Sequence, residues 1–235
     1  MKIDIWSDVR CPFCYIGKRK FENALEQFAH KDKVEIEWHS FELDPTVVTD
    51  TNKNVYDYLA EIKGQSREWS VKMHEHVTKS AAEVGLQYDF DKAVIANSFD
   101  AHRLIQFAKT KGLGDEAEEV LFKAYFTEGK NIADHAVLIA LGESIGLDKQ
   151  ETAEILAGTA FTKEVKADGQ VAQRIGVNGV PFFVIENKYG ISGAQPSELF
   201  LEALETSWKE TQPAIEIISN NNNEGTVCST DGECI

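Results

Sequence analysis

Residues 2–18, KIDIWSDVRCPFCYIGK, decide the fold. Ile3, Ile5 and Val9 fall on one face at the two-residue period of a strand, interrupted only by Ser7. Cys11-Pro12 then opens a helix expected to run to about Phe28, with Phe21, Leu25 and Phe28 turned inward. Proline suits a first helical position because its missing N–H would have no partner there. The next stretch, KVEIEWHSFEL (33–43), alternates again through Val34, Ile36 and Trp38. The helix is therefore read as a crossover between two parallel strands. Trp6 and Trp38, one on each strand, are expected in the core or on a cleft wall.

After Asp44-Pro45 the period becomes helical for over a hundred residues. The pieces end at Gly64, Gly85, Gly112, Gly129, Gly146, Gly158 and Gly176, where a left-handed residue is expected to close each helix. Roughly six or seven helices follow one another on this reading. VPFFVIENKYGISG (180–193) holds two short apolar runs separated by Glu-Asn-Lys, a hairpin pattern. A last helix begins near Pro196 and carries Leu199, Phe200, Ala203, Leu204 and Trp208 on one side. The order β, α, β, many helices, β, β, α predicts an α/β protein: a thioredoxin fold with a large all-helical domain inserted between its N-terminal βαβ and C-terminal ββα units. The expected boundaries are 1–45 with 177–210 for the thioredoxin-like part, 46–176 for the insertion and 211–235 for a C-terminal tail. A cleft between lobe and sheet is where a ligand is expected.

The chain of 235 residues carries 24 basic and 39 acidic side chains, a formal charge of −15 spread along its length. That balance argues against a nucleic-acid surface. No basic segment followed by an apolar run opens the sequence, and no stretch approaches the ~18 apolar residues of a membrane span. The expectation is a cytoplasmic protein with neither nucleic-acid nor membrane partners. In a reducing compartment, paired cysteines are more often redox-active or metal-binding than structural.

Cys11-Pro12-Phe13-Cys14 stands where strand becomes helix. Unpaired N–H groups and the positive end of the helix dipole favour a thiolate at Cys11. Cys14, one turn in, is placed to attack a mixed disulfide at Cys11, so Cys11 is read as nucleophile and Cys14 as resolving thiol. The competing reading is half a zinc knuckle. Val180-Pro181 weighs against it, because a proline that cannot donate to a ladder belongs at a strand start.

Three motifs together resemble the DsbA-like thiol oxidoreductases of the thioredoxin superfamily, and within them the FrnE-type branch that also holds proteins similar to 2-hydroxychromene-2-carboxylate isomerase. They are SDVRCPFCYIGK (7–18), NSFDAHRL (97–104) and GVPFFVI (179–185) followed by SGAQP (192–196). The resemblance covers about residues 2–208. It implies that Pro181 is cis and faces the reactive cysteine, with the backbone of Val180 offered to an extended substrate. It implies a disulfide oxidoreductase whose redox group is its own Cys11–Cys14 disulfide, with no cofactor required. Disulfide-containing or thiol proteins are the expected substrates, and a thiol reductant system supplies electrons. The dipeptide between the cysteines is Pro-Phe where strongly oxidising relatives carry Pro-His, so a less oxidising couple is expected. Isomerase relatives use serine at the position of Cys11 with glutathione as cofactor. Glutathione binding therefore stays open, and a glutathione-dependent isomerase or transferase is the second reading of the chain; a zinc-stabilised binding module is the third.

Phe13 and His102 are candidate cleft residues. Asn97 or Ser98 is expected to cap the helix bearing His102, with a solvated helix face as the plain alternative for His102 itself. Lys18 and Arg19 are read as solvated, and no metal site is expected. Cys228 and Cys234 form a second pair on the tail, flanking the turn-forming Asp231-Gly232. A flexible chain of the length between Trp208 and Cys228 spans ~25 Å, enough for exchange with Cys11–Cys14 to be sterically open.

Overall fold

The computed structural model describes residues 1–211. Strand β1 (Lys2–Ser7) is followed by α1 (Pro12–Gln27) and β2 (Glu35–Ser40). Seven helices then run α2 (Val55–Lys63), α3 (Arg67–Ala82), α4 (Phe99–Thr110), α5 (Gly114–Phe126), α6 (His135–Ser144), α7 (Lys149–Ala157) and α8 (Thr162–Arg174). The described residues end with β3 (Phe182–Ile185), β4 (Tyr189–Ser192) and α9 (Ser197–Thr211). The sheet order is β2-β1-β3-β4. β1 runs parallel to β2, pairing Ile5 with Trp38, and antiparallel to β3, pairing Ile5 with Phe183. The β3–β4 hairpin turns through Glu186 and Asn187, both at positive φ, with the Lys188 N–H closing on the Ile185 carbonyl at 3.0 Å. That is the turn whose twist matches a hairpin.

Being central, β1 is covered on both faces, so all but its first residue are buried although the sequence alternates. Ile3 and Ile5 pack with Phe21 of α1, Phe183 of β3, and Phe200 and Leu204 of α9. Trp6 faces the opposite side, against Ala172 of α8 and Val177. Helix α8 lies inside the stretch expected as the insertion, yet it is the cover of the sheet's second face. A second, larger core fills the helical lobe around Leu104, Phe107, Leu121, Phe122 and Phe126, and it reaches Cys11, Cys14 and Tyr15. The start of α1 thus sits at the seam between lobe and sheet.

Six of the seven expected glycine caps have positive φ; Gly158, with φ −99°, does not. The reason is Arg103, whose guanidinium donates to the carbonyls of Ile155, Leu156, Gly158 and Ala160 and so satisfies the end of α7 from outside. Lys18 also departs from expectation: it is buried, with its ammonium among Glu22, Asp115 and Glu119. Arg19 joins Glu119 and Glu22, so these cations clamp α1 to α5 instead of facing solvent.

Candidate active site

Cys11 is the N-cap of α1 in extended conformation, and its side chain makes no capping bond. No acidic residue in the first turn of α1 neutralises the positive helix end. The turn before it is held by the Cys11 N–H donating to the Asp8 carbonyl at 2.8 Å, and the Cys14 N–H donates to the Cys11 carbonyl at 3.0 Å. Both cysteines are free thiols. Cys11 is 5% exposed and Cys14 1%, so an incoming sulfur meets Cys11 first. Burial, and then the neighbouring Cys11 thiol, push the Cys14 thiol well above its ordinary value. Cys14 is therefore held in its thiol form.

Across the seam, the Cys11 thiol donates to the Val180 carbonyl at 3.4 Å. The Val180–Pro181 bond is cis, as the resemblance implied. Pro181 rests on Gly17 of α1, and Val180 packs on the core that contains both cysteines. The Val180 N–H has no partner among the described residues, leaving it open to an extended chain. Phe13 is 39% exposed and forms an apolar shoulder beside Cys11. From the lobe, the Tyr88 hydroxyl donates to the Pro12 carbonyl at 2.7 Å, fixing the dipeptide between the cysteines.

His102 is fully buried, which excludes the solvated-face reading. Its Nε2 lies 3.5 Å from Asp8 Oδ1, so it meets the turn that carries Cys11 rather than the sulfur itself. The cap of α4 is Asn97, whose Oδ1 accepts from the Phe99 N–H at 2.8 Å, while the Ser98 side chain makes no cap bond. Asp8 was not singled out from the sequence; an Asx-type residue three before a helix-opening cysteine is the signal that marks it. Tyr88 and Glu118 carry no such signal, because only the packing of the lobe brings them near. Asp4, Glu37 and His39 offer ligand atoms within 4.8 Å of one another, but the Lys2 ammonium already sits 2.9 Å from Asp4 and 2.6 Å from Glu37. Cys228 and Cys234 lie outside the described residues.

The profile of the DSBA-like thioredoxin domain matches residues 2–205. The chain belongs to this family. Among relatives of this DSBA-like protein, the uncharacterized protein YwbO of Bacillus subtilis is 28% identical over 210 residues, covering 88% of this chain and 98% of YwbO. The crystal structure of the probable DsbA oxidoreductase SCO1869 from Streptomyces coelicolor superposes with a TM-score of 0.86 at 37% identity, covering 100% of this chain and 98% of that one. The cytosolic disulfide reductase DsbM from Pseudomonas aeruginosa shares the fold, with a TM-score of 0.64 at 18% identity over 90% of this chain and 100% of DsbM. The DSBA-like chain is thus a member of a thiol oxidoreductase family, with a CxxC pair where that chemistry requires it.

Proposed function

We propose that this protein is a cytoplasmic dithiol–disulfide oxidoreductase acting on protein disulfides. The observation that carries the reading is the contact of the Cys11 thiol with the Val180 carbonyl at 3.4 Å, with Cys14 buried directly behind it. A substrate segment lying along Val180 presents its sulfur to Cys11 and to nothing else. In the reducing direction the Cys11 thiolate attacks one sulfur of a substrate disulfide, forming a mixed disulfide and expelling the other sulfur as a thiolate, which takes a proton. Cys14 then loses its proton and attacks the Cys11 sulfur. The Cys11–Cys14 bond forms, two electrons have passed to the substrate, and the second substrate sulfur leaves. A thiol reductant restores the dithiol. Phe13 offers apolar contact to the substrate chain, and no cofactor beyond the cysteine pair is needed. Cys228 and Cys234 are proposed, from the sequence, as a second redox pair that exchanges with Cys11–Cys14; deleting residues 212–235 should then slow turnover while leaving trapping at Cys11 intact.

The test is acid-quenched trapping with a peptide disulfide. The Cys14→Ala variant should accumulate a mixed disulfide at Cys11, seen as the mass of one peptide thiol, while the wild type passes through to its internal disulfide. A variant that never accumulates the adduct overturns the assignment.

A further inference from the structure

Three buried ionisable groups from three elements meet beneath the turn that carries Cys11. Asp8 comes from the β1–α1 turn, His102 from α4 and Glu118 from α5, and none is more than 1% exposed. Asp8 is the hub. One carboxylate oxygen accepts the Arg10 N–H at 3.0 Å and the other the Leu43 N–H at 2.9 Å, while its carbonyl accepts the Cys11 N–H. His102 Nε2 stands 3.5 Å from Asp8 Oδ1, and neither ring nitrogen of His102 has a hydrogen-bond partner among the described residues. Glu118 Oε2 is likewise buried without one.

A buried carboxylate needs a counter-charge. Burial works to raise the Asp8 pKa but is outweighed by His102, with the Leu43 and Arg10 N–H groups adding to it, so that Asp8 stays ionised. Burial works to lower the His102 pKa and is outweighed by Asp8, with Glu118 and Glu42 adding smaller pulls in the same direction. The groups facing His102 are therefore Asp8 on the turn, Glu118 on α5 and Glu42 on the segment after β2. Glu118 in turn faces Lys18 and Asp115. Arg10 on the same turn also faces Asp8, so the balance there is the Asp8 carboxylate against the His102 imidazolium with help from the Arg10 guanidinium.

We infer that His102 is a positioning residue for the Cys11–Cys14 couple: by neutralising Asp8 beneath the turn, it lets the reduced pair carry thiolate charge and so sets the couple's potential. The inference rests on the proposed redox cycle. Oxidation removes two electrons from the pair and discharges the thiolate as the S–S bond forms, with the Cys14 proton passing to the departing substrate sulfur. The reduced form therefore holds the extra negative charge, and an Asp8 balanced by Arg10 alone penalises that form more than one balanced by Arg10 and His102. Loss of the imidazolium makes the couple more reducing, provided Asp8 remains ionised. The effect therefore lasts while wild-type His102 is protonated, and it fades as pH rises through the point where that imidazolium is lost. Because the coupling is reciprocal, the redox state must also change the proton affinity of His102.

The experiment measures the equilibrium of the full-length protein with a glutathione redox buffer from pH 6 to 9, for wild type, His102→Gln and the double variant Asp8→Asn/His102→Gln. His102→Gln should shift the constant about tenfold toward the disulfide where wild-type His102 is protonated, about 30 mV for a two-electron couple, and the shift should shrink toward pH 9. The double variant, which removes both charges, should return to within about threefold of wild type. An unshifted His102→Gln, or a double variant as shifted as the single one, overturns the inference. Wild-type protein supplies a second measurement that needs no substitution. The His102 ring, followed by NMR, should release its proton about one pH unit higher in the dithiol form than in the disulfide form, the counterpart of a tenfold coupling. Coincident titrations overturn it as well. A couple that cycles normally in the trapping experiment but ignores His102 defeats this inference alone, whereas failure to trap at Cys11 defeats the proposed function.

Discussion

Gly17 and Pro181 meet with no room for a side chain between them: a Cβ at residue 17 would stand 2.9 Å from Cγ of Pro181 and 3.5 Å from its Cβ. The second turn of α1 thereby braces the loop that places Val180 on Cys11. Gly17→Ala should gain about 1 kcal/mol of helix propensity. Overpacking against a ring fused to the backbone costs about 1–3 kcal/mol, so the loss wins. The variant should be destabilised by about 1 kcal/mol, with Val180 displaced from Cys11. Urea midpoints and the iodoacetamide rate at Cys11 check this; a variant as stable and as reactive as wild type contradicts it.

His39 has a carboxylate at each ring nitrogen, Asp4 Oδ1 at 2.7 Å from Nε2 and Asp168 Oδ1 at 2.9 Å from Nδ1. Only the imidazolium can donate to both. Burial would lower its pKa, but Asp168 and then Asp4 outweigh burial, and the net shift is upward. The stabilisation is therefore complete below the ordinary value of 6.5 and is lost as pH rises through the folded value. Each pH unit between the two contributes about 1.4 kcal/mol. The stability gap between wild type and His39→Gln should accordingly be widest near pH 6 and narrow toward pH 9 in denaturant titrations. A gap that stays constant, or widens with pH, refutes the protonated clamp.

The sheet and the cysteine site were legible because their signals are local. Alternation gave β1 and β2, Pro12 marked the start of α1, and Glu-Asn-Lys between two apolar runs marked the hairpin. What sequence could not reveal is pairing across the lobe. Lys18 and Arg103 look like ordinary surface cations until tertiary structure supplies Asp115 and Glu119 to one and four carbonyls to the other. Gly158 misled for the same reason: a helix end satisfied by a distant guanidinium needs no left-handed residue. His102 was visible as a candidate, but its partner Asp8 was hidden among turn residues. The role inferred for it depends on a contact spanning the sequence from the β1–α1 turn to α4.

Glu118 is a buried carboxyl, raised by burial to about 8 even though His102 pulls it the other way. The native state therefore binds a proton between the ordinary value of 4.5 and about 8 that the unfolded chain has released. Stability falls with rising pH across that window and levels off above it. Glu118→Gln, which keeps the shape and cannot ionise, should gain on wild type across the same window. The gain should reach the order of a few kcal/mol by pH 8. Parallel denaturation curves at pH 5 and 8 decide the matter: a difference between the two proteins that is independent of pH means that Glu118 is not held protonated.

Arg103 closes α7 from α4, at a distance of over fifty residues in sequence. Its guanidinium is 2.8 Å from the carbonyls of Ala160 and Gly158, and it pairs with Asp100 at 2.7 Å. Lysine offers one compact ammonium in place of a planar fork, so Arg103→Lys cannot reach the Ile155, Gly158 and Ala160 carbonyls together. Hydrogen bonds to a charged group contribute about 1.5–3 kcal/mol each, and buried carbonyls left unpaired add to the loss. The variant should lose about 3 kcal/mol, less than a full helix unfolding because water can reach part of the α7 end. Arg103 touches neither cysteine, so the folded fraction should keep the wild-type potential. Hydrogen exchange should show the release concentrated in residues 149–161. Exchange that instead quickens throughout α1 would mean that Arg103 supports the active-site helix directly.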